Sequence, residues 1–339
     1  MTIIDNIRDK WQRNSNIYAD AYRKGKIAGF DYTLLLWKNH TKFLLRLRNP
    51  EDKKAEIRRM NLFWERFLDV IKPYEQMPVY PLPSTNSGQG YSIDDGKDAI
   101  IWVYWNDIST MPVMVEKCIE RIRKNSNGHQ VVIVTEETVS DYLQLDDVVL
   151  RKYKEGKISR THFCDIVRIS LLNYYGGVWM DCTLLLTQPL PEIVTSSVFY
   201  TNRLNNWDDN NVGGGRWSTF FLACHRGNLM MKATLDVFVE YWHRYDDIVD
   251  YVWMDYIFNL LYNNIPSVKD MIDSVPENNP DIWIMQTKIA HPFSKDEFEA
   301  IISDKSRFLY KFSYKDSKDV PYHDESGHVT LMGRICGQQ

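Results

Sequence analysis

Residues 99–105, AIIWVYW, constrain this chain more than any other stretch, because seven consecutive apolar residues rich in β-branched and aromatic side chains form a strand buried on both faces. Such a strand needs a covering layer on each side, which places it inside a sheet flanked by helices. Residues 111–124 follow with helical spacing, and VVIV at 131–134 reads as a second buried strand. Strand, helix, strand at this spacing begins a mainly parallel α/β sheet with right-handed crossovers. Downstream, residues 159–175 read as a helix stopped by Gly176-Gly177, and VWM runs directly into Asp181. VFYTN and STFFLAC read as further strands, and residues 228–245 and 253–263 as helices.

The sequence ahead of this sheet has a different texture. From Asp5 to Lys72 there are few Gly or Pro, and Leu34, Leu35, Leu44, Leu45, Phe63 and Phe67 recur near helical spacing. Pro73, Pro78, Pro81, Pro83 and a Ser/Asn/Gly cluster then punctuate the chain. The expected organisation is a helical N-terminal extension at 1–75, a linker at 76–97 and one main domain at 98–339, in keeping with a chain longer than a single core usually grows.

Composition excludes several classes of function. With 41 basic and 45 acidic residues, a net charge of -4 gives no reason to expect nucleic acid as a partner. The five cysteines, Cys118, Cys164, Cys182, Cys224 and Cys336, are odd in number and form no CxxC pair, against a disulfide framework and a structural zinc site. The first residues lack the apolar stretch of a signal peptide, and no run of about 18 apolar residues spans a bilayer. A cytoplasmic location with at most peripheral membrane contact is expected.

The chemistry concentrates between residues 165 and 183. Asp165 and Arg168, three apart on a helix, share a face, with His162 one turn earlier. Taken alone this is an ordinary surface ion pair worth a few tenths of a kcal/mol. Gly176-Gly177 then ends the helix, allows close backbone approach, and a short strand delivers Asp181 at its carboxyl end, where ligands of open α/β sheets bind. An Asp there can hold ribose hydroxyls or a divalent cation, and Thr183 projects to the same side.

At these residues the sequence resembles the capsular polysaccharide synthesis family of glycosyltransferases, relatives of the yeast-type initiating α-mannosyltransferases and the clostridial glucosylating toxins. The resemblance rests on IIWVYW, THFCDIVRISLLNYYGGVWMDCTLLLTQPLP, WSTFFLACHRGN, DYVWMDYIF and RFLYKFSYK, and covers about residues 98 to 316. It implies a type A glycosyltransferase fold, a single Rossmann-like mixed sheet flanked by helices. It implies a nucleotide diphosphate sugar donor, UDP-galactose or UDP-glucose, and hexose transfer with retention to a lipid-linked capsule or exopolysaccharide oligosaccharide. By the same resemblance Trp105 packs on the base, Asp165 and Arg168 grip the donor sugar and ribose, and Asp181 is the first carboxylate of the family's DxD motif. Thr183 stands where the second carboxylate belongs, so a Mn or Mg site has lost one formal charge. Either another side chain, His291 being a candidate, completes the metal site, or Arg168 with Lys311 or Lys315 neutralises the leaving group.

Asp255 is expected to orient the acceptor or contact the sugar, or else to be a surface helix carboxylate. Residues 33–49, TLLLWKNHTKFLLRLRN, fit either a helix packed on the main domain or an interfacial helix at a membrane. The Gly- and Asn-rich residues 206–217 read as a long loop suited to a lid or to acceptor recognition. His323 and His328 lack ligand spacing and read as ordinary histidines. Two other functions stay open: a protein-modifying glycosyltransferase and a non-catalytic sugar-nucleotide-binding module.

Overall fold

A computed structural model describes residues 3–80, 98–204 and 211–338, with side chains from residue 15 onward. The linker expected at 76–97 lies from residue 81 outside the described residues, as does the first half of the loop expected at 206–217. Three long helices lead the chain, Ile3–Ala28, Phe30–Leu44 and Pro50–Trp64. Gly29, at φ 120°, breaks the first from the second. The third starts at a capping box formed by Asn49 and Asp52, with Pro50 at the first helical position. Short helical turns carry the chain to Tyr74.

Among the described residues seven strands follow: β1 (Ile101–Tyr104), β2 (Val131–Val134), β3 (Gly177–Met180), β4 (Leu184–Leu186), β5 (Phe199–Thr201), β6 (Phe221–Cys224) and β7 (Leu309–Lys311). Five form one sheet in the order β2-β1-β3-β6-β5, and β4 pairs with β7 in a small second sheet. The β2-β1-β3 half is parallel, whereas β6 runs antiparallel to both β3 and β5. The sheet is therefore mixed and flanked by helices, as the resemblance implied, rather than mainly parallel as its first two strands suggest. β5 and β6, adjacent in the chain order, pair antiparallel as neighbouring strands.

Alternation along the strands builds a core on each face. Ile101, Val103, Val178, Met180, Phe221 and Ala223 pack with the Val113–Lys124 helix on one side. Trp102, Trp179, Leu222 and Cys224 face the other, against the Arg160–Tyr175 and Leu229–Arg244 helices. The N-terminal helices join this second core. Trp64 stacks on Tyr241 with ring centroids 5.5 Å apart, and Phe63 and Phe67 meet the same tyrosine. All three are fully buried, and burial of each contributes roughly 1.5–3 kcal/mol.

Candidate active site

The Arg160–Tyr175 helix begins at Ser159, whose hydroxyl accepts from the His162 backbone N–H. It carries Asp165 and Arg168 inward; both are 7% exposed. Arg168 donates through Nη1 to Asp165 Oδ1 at 3.0 Å and through Nη2 to Asp181 Oδ1 at 3.2 Å. Its guanidinium lies over the Trp179 ring, 4.8 Å from the centroid. This corrects the surface-pair reading of Asp165 and Arg168: the pair is desolvated, so losing one partner strands a buried charge.

Gly176 and Gly177 bring helix and strand together. Both have positive φ, 69° and 91°. A Cβ on Gly176 would meet the Arg226 backbone nitrogen at 2.4 Å, and one on Gly177 the Ile100 carbonyl oxygen at 2.3 Å. Only glycine allows the helix end to lie against the neighbouring strands here, and β3 then places Asp181 beside Arg168.

Asp181 accepts from Trp179 Nε1 at 3.0 Å on Oδ1, while Lys311 donates to Oδ2 at 2.8 Å. The same ammonium reaches Thr183 Oγ1 at 2.6 Å. The β4-β7 pairing explains this, since Leu184, next to Thr183, lies opposite Lys311. Burial alone would push the Asp181 carboxyl up, but Lys311 and Arg168 outweigh it and hold it below its ordinary range. Two carboxylates and two cations thus balance within one cluster. As arranged, Asp181 and Thr183 share the Lys311 ammonium, and every side-chain oxygen of the pair accepts from a donor.

Two tryptophans missed by the sequence reading complete the cluster. Trp253 Nε1 donates to Asp165 Oδ2 and Trp217 Nε1 to Asp255 Oδ1, each at 2.9 Å. Asp255, in the first turn of the Trp253–Asn264 helix, is therefore half-buried and tied inward rather than a free surface carboxylate. Burial pushes both Asp165 and Asp255 up to about 6. His162 packs edge-on against Trp253 and is shifted down by burial. Arg168 Nε and His162 Nε2 are buried without a partner among the described residues.

Trp105 lies just past β1, edge-on to Tyr314 at 5.8 Å, with its indole N–H buried and without a partner among the described residues. His291 is exposed, in the turn before the Pro292–Thr330 bridge, and no polar contact joins it to the cluster; Lys315 is likewise exposed. The structure thus brings Asp165, Arg168, Asp181, Thr183 and Lys311 together and leaves His291 and Lys315 outside. Lys311 and the two tryptophans are separated from their partners by 130, 88 and 38 residues, and no local pattern announces such contacts.

Comparison with known proteins places this geometry in context. A curated glycosyltransferase of Aspergillus fumigatus, afumC, is 24% identical over 164 residues, which is 44% of this chain and 42% of that protein. The chain thus spans less than half the length of that relative. The solved PaToxG glycosyltransferase is 14% identical with a TM-score of 0.37, covering 77% of this chain and 99% of its own. The family described as capsular polysaccharide synthesis protein matches residues 84–326, which include every residue of the cluster. With well over half of its length matched, the chain belongs to the capsular polysaccharide synthesis protein family.

Proposed function

We propose that the protein is a glycosyltransferase of capsular polysaccharide synthesis, moving a hexose from a nucleotide diphosphate sugar to an oligosaccharide acceptor. The observation that carries this is the buried Asp165–Arg168–Asp181 chain of ion pairs at the carboxyl end of β3, extended by Lys311. In the proposed reaction the bond between the anomeric carbon and the β-phosphate oxygen breaks with its electron pair on that oxygen. The acceptor hydroxyl oxygen forms the new bond to the anomeric carbon and gives its proton to the departing phosphate. Such a reaction needs fixed positive charge where the phosphate leaves and polar groups that hold sugar hydroxyls. Arg168 supplies the first, with an Nε still free to donate; Asp165 and Asp255, held by indole N–H groups, supply the second. Departure of the diphosphate and attack by the acceptor oxygen on the same face give retention, with no protein nucleophile required.

Trp105, with an unpartnered indole N–H at the end of β1, suits contact with the donor base, UDP-glucose and UDP-galactose being the first donors to try. The full chain is tested against a panel of UDP- and GDP-sugars for ligand-dependent stabilisation and slow donor hydrolysis. A donor that stabilises the wild type and is hydrolysed by it, but not by Asp181→Ala, supports the reading. Absence of both stabilisation and turnover across the panel overturns it.

A lipid-linked acceptor is the second part of the proposal, supported by the surface of the second helix. Phe30–Leu44 buries Tyr32, Thr33 and Asn39 against its neighbours and leaves Phe30, Leu34, Phe43 and Leu44 exposed, followed by Leu45 and Leu47. Lys38 and Arg46 are exposed beside them. Exposed apolar side chains flanked by basic ones suit the headgroup region of an anionic membrane. No described helix is long and apolar enough to cross a membrane.

A further inference from the structure

We infer that Lys311 stands in for the divalent cation, so that the departing diphosphate is neutralised by a protein ammonium and donor binding needs no metal. The inference rests on the glycosyltransferase reading above and concerns how the same site handles charge. Its basis is the position of one atom. Lys311 Nζ lies 2.8 Å from Asp181 Oδ2 and 2.6 Å from Thr183 Oγ1, the two side chains of the D-x-T segment that would present ligands to a cation. It bridges them as a metal would, but at hydrogen-bond rather than coordination distances.

Charge counting supports the same assignment. Two carboxylates and a divalent ion would leave no net charge; one carboxylate, a hydroxyl and an ammonium also leave none. Replacing the second Asp by Thr183 removes the charge for which a dication would be required, and Lys311 supplies the single positive charge that remains necessary. The exchange is self-consistent, because Thr183 with a dication would leave the site over-charged, while a second Asp with Lys311 would leave an unpaired carboxylate in a buried place. Lys311 is itself 9% exposed, so its ammonium is not a solvated surface charge.

The geometry also leaves the ammonium a role in transfer. Of its three N–H groups two are taken by Asp181 and Thr183, and the nitrogen sits 5.2 Å from the centre of the Phe220 ring. The third is available to an oxygen of the β-phosphate as the bond to the anomeric carbon breaks and the electron pair moves onto that oxygen. Arg168, held by Asp165 and Asp181, is the second cation of the cluster.

The test uses the full chain with UDP and GDP as probes, in EDTA or in Mn²⁺, read by ligand-induced shift in Tm and by calorimetric Kd. The wild type is expected to bind one nucleotide with the same Kd in both, and to show no Tm rise with Mn²⁺ alone. Lys311→Met should weaken nucleotide binding by roughly 10- to 100-fold, the worth of a charge-assisted hydrogen bond, while Lys311→Arg, which keeps the charge, should weaken it less. The double variant Thr183→Asp/Lys311→Ser should gain a Tm rise with Mn²⁺ and bind nucleotide only in its presence. Wild-type binding that disappears in EDTA and returns with Mn²⁺ overturns the Lys311 assignment and leaves the glycosyltransferase reading intact. Binding of neither nucleotide under either condition overturns both.

Discussion

Trp253 reaches across 88 residues to donate a 2.9 Å hydrogen bond to Asp165, fixing the carboxylate that in turn fixes Arg168. Arg168 is thereby the hub of the site, shared between Asp165 and Asp181. Arg168→Met should lower unfolding free energy by about 3–5 kcal/mol, because it leaves the buried Asp165 carboxylate without its cation and Asp181 with Lys311 alone. Asp165→Asn keeps an acceptor for Trp253 and should cost less. Urea unfolding of the two variants checks the order; an Arg168→Met loss no larger than that of Asp165→Asn would show that Arg168 is not the hub of the cluster.

Asp255 gives a pH dependence whose sign is fixed by burial. Its carboxyl is raised from the ordinary 3.8 to about 6, so the folded state binds a proton that the unfolded chain releases between these values. The stability it contributes is fully present below 3.8 and lost as pH rises through about 6. Asp255→Asn mimics the protonated form and should gain up to about 3 kcal/mol relative to wild type between pH 4 and pH 7.5. Asp181, held low by Lys311 and Arg168 against the effect of burial, contributes in the opposite sense, with stability lost as pH falls below 3.8. Denaturant titrations at the two pH values settle the first sign.

The glycine pair predicts a failure of assembly rather than of chemistry. Gly177→Ala must push a Cβ against the Ile100 carbonyl at a φ of 91°, where β3 lies against the residue that leads directly into β1. A loss of about 3 kcal/mol or more is expected, since backbone cannot rotate aside as a side chain can. Gly156→Ala, also at positive φ but in open space, is the control and should cost about 1 kcal/mol. Thermal unfolding of the pair separates close approach from conformational preference.

Vesicle co-sedimentation tests the exposed face of the second helix. The triple change Phe43→Ser, Leu45→Ser and Leu47→Ser removes side chains that are 58%, 62% and 64% exposed, so stability should move by less than about 1 kcal/mol. Binding to vesicles containing anionic lipid should fall at least about tenfold. Wild-type protein that stays in the supernatant with such vesicles would remove the membrane proposal.

Much of this architecture is legible in the chain itself. The apolar runs of β1 and β6, the helix ending at Gly176 and the delivery of Asp181 all follow local patterns of spacing and punctuation. Strand polarity was harder to read, because β6 has the same composition whether its neighbour runs parallel or antiparallel. The partners of the charged residues were harder still. Nothing near Asp165 in sequence indicates that an indole on a distant helix will bind it, or that Lys311, in a three-residue strand, will meet Thr183 through pairing of β7 with β4. Asp255 looked like a helix carboxylate of either kind until Trp217 closed over it.

The aromatic contacts described for the core form a relay from the chain's beginning to its reactive centre. Trp64 stacks on Tyr241, Tyr241 meets Trp253 at 5.6 Å, and Trp253 holds Asp165. The family match starts at residue 84, beyond Trp64. The matched region and the folding unit therefore do not coincide. A fragment cut at the family boundary would keep each charged residue of the cluster yet expose the apolar seat of the helix that aims them. A change in the first 80 residues can thus shift the cluster from behind without altering any of its charged residues.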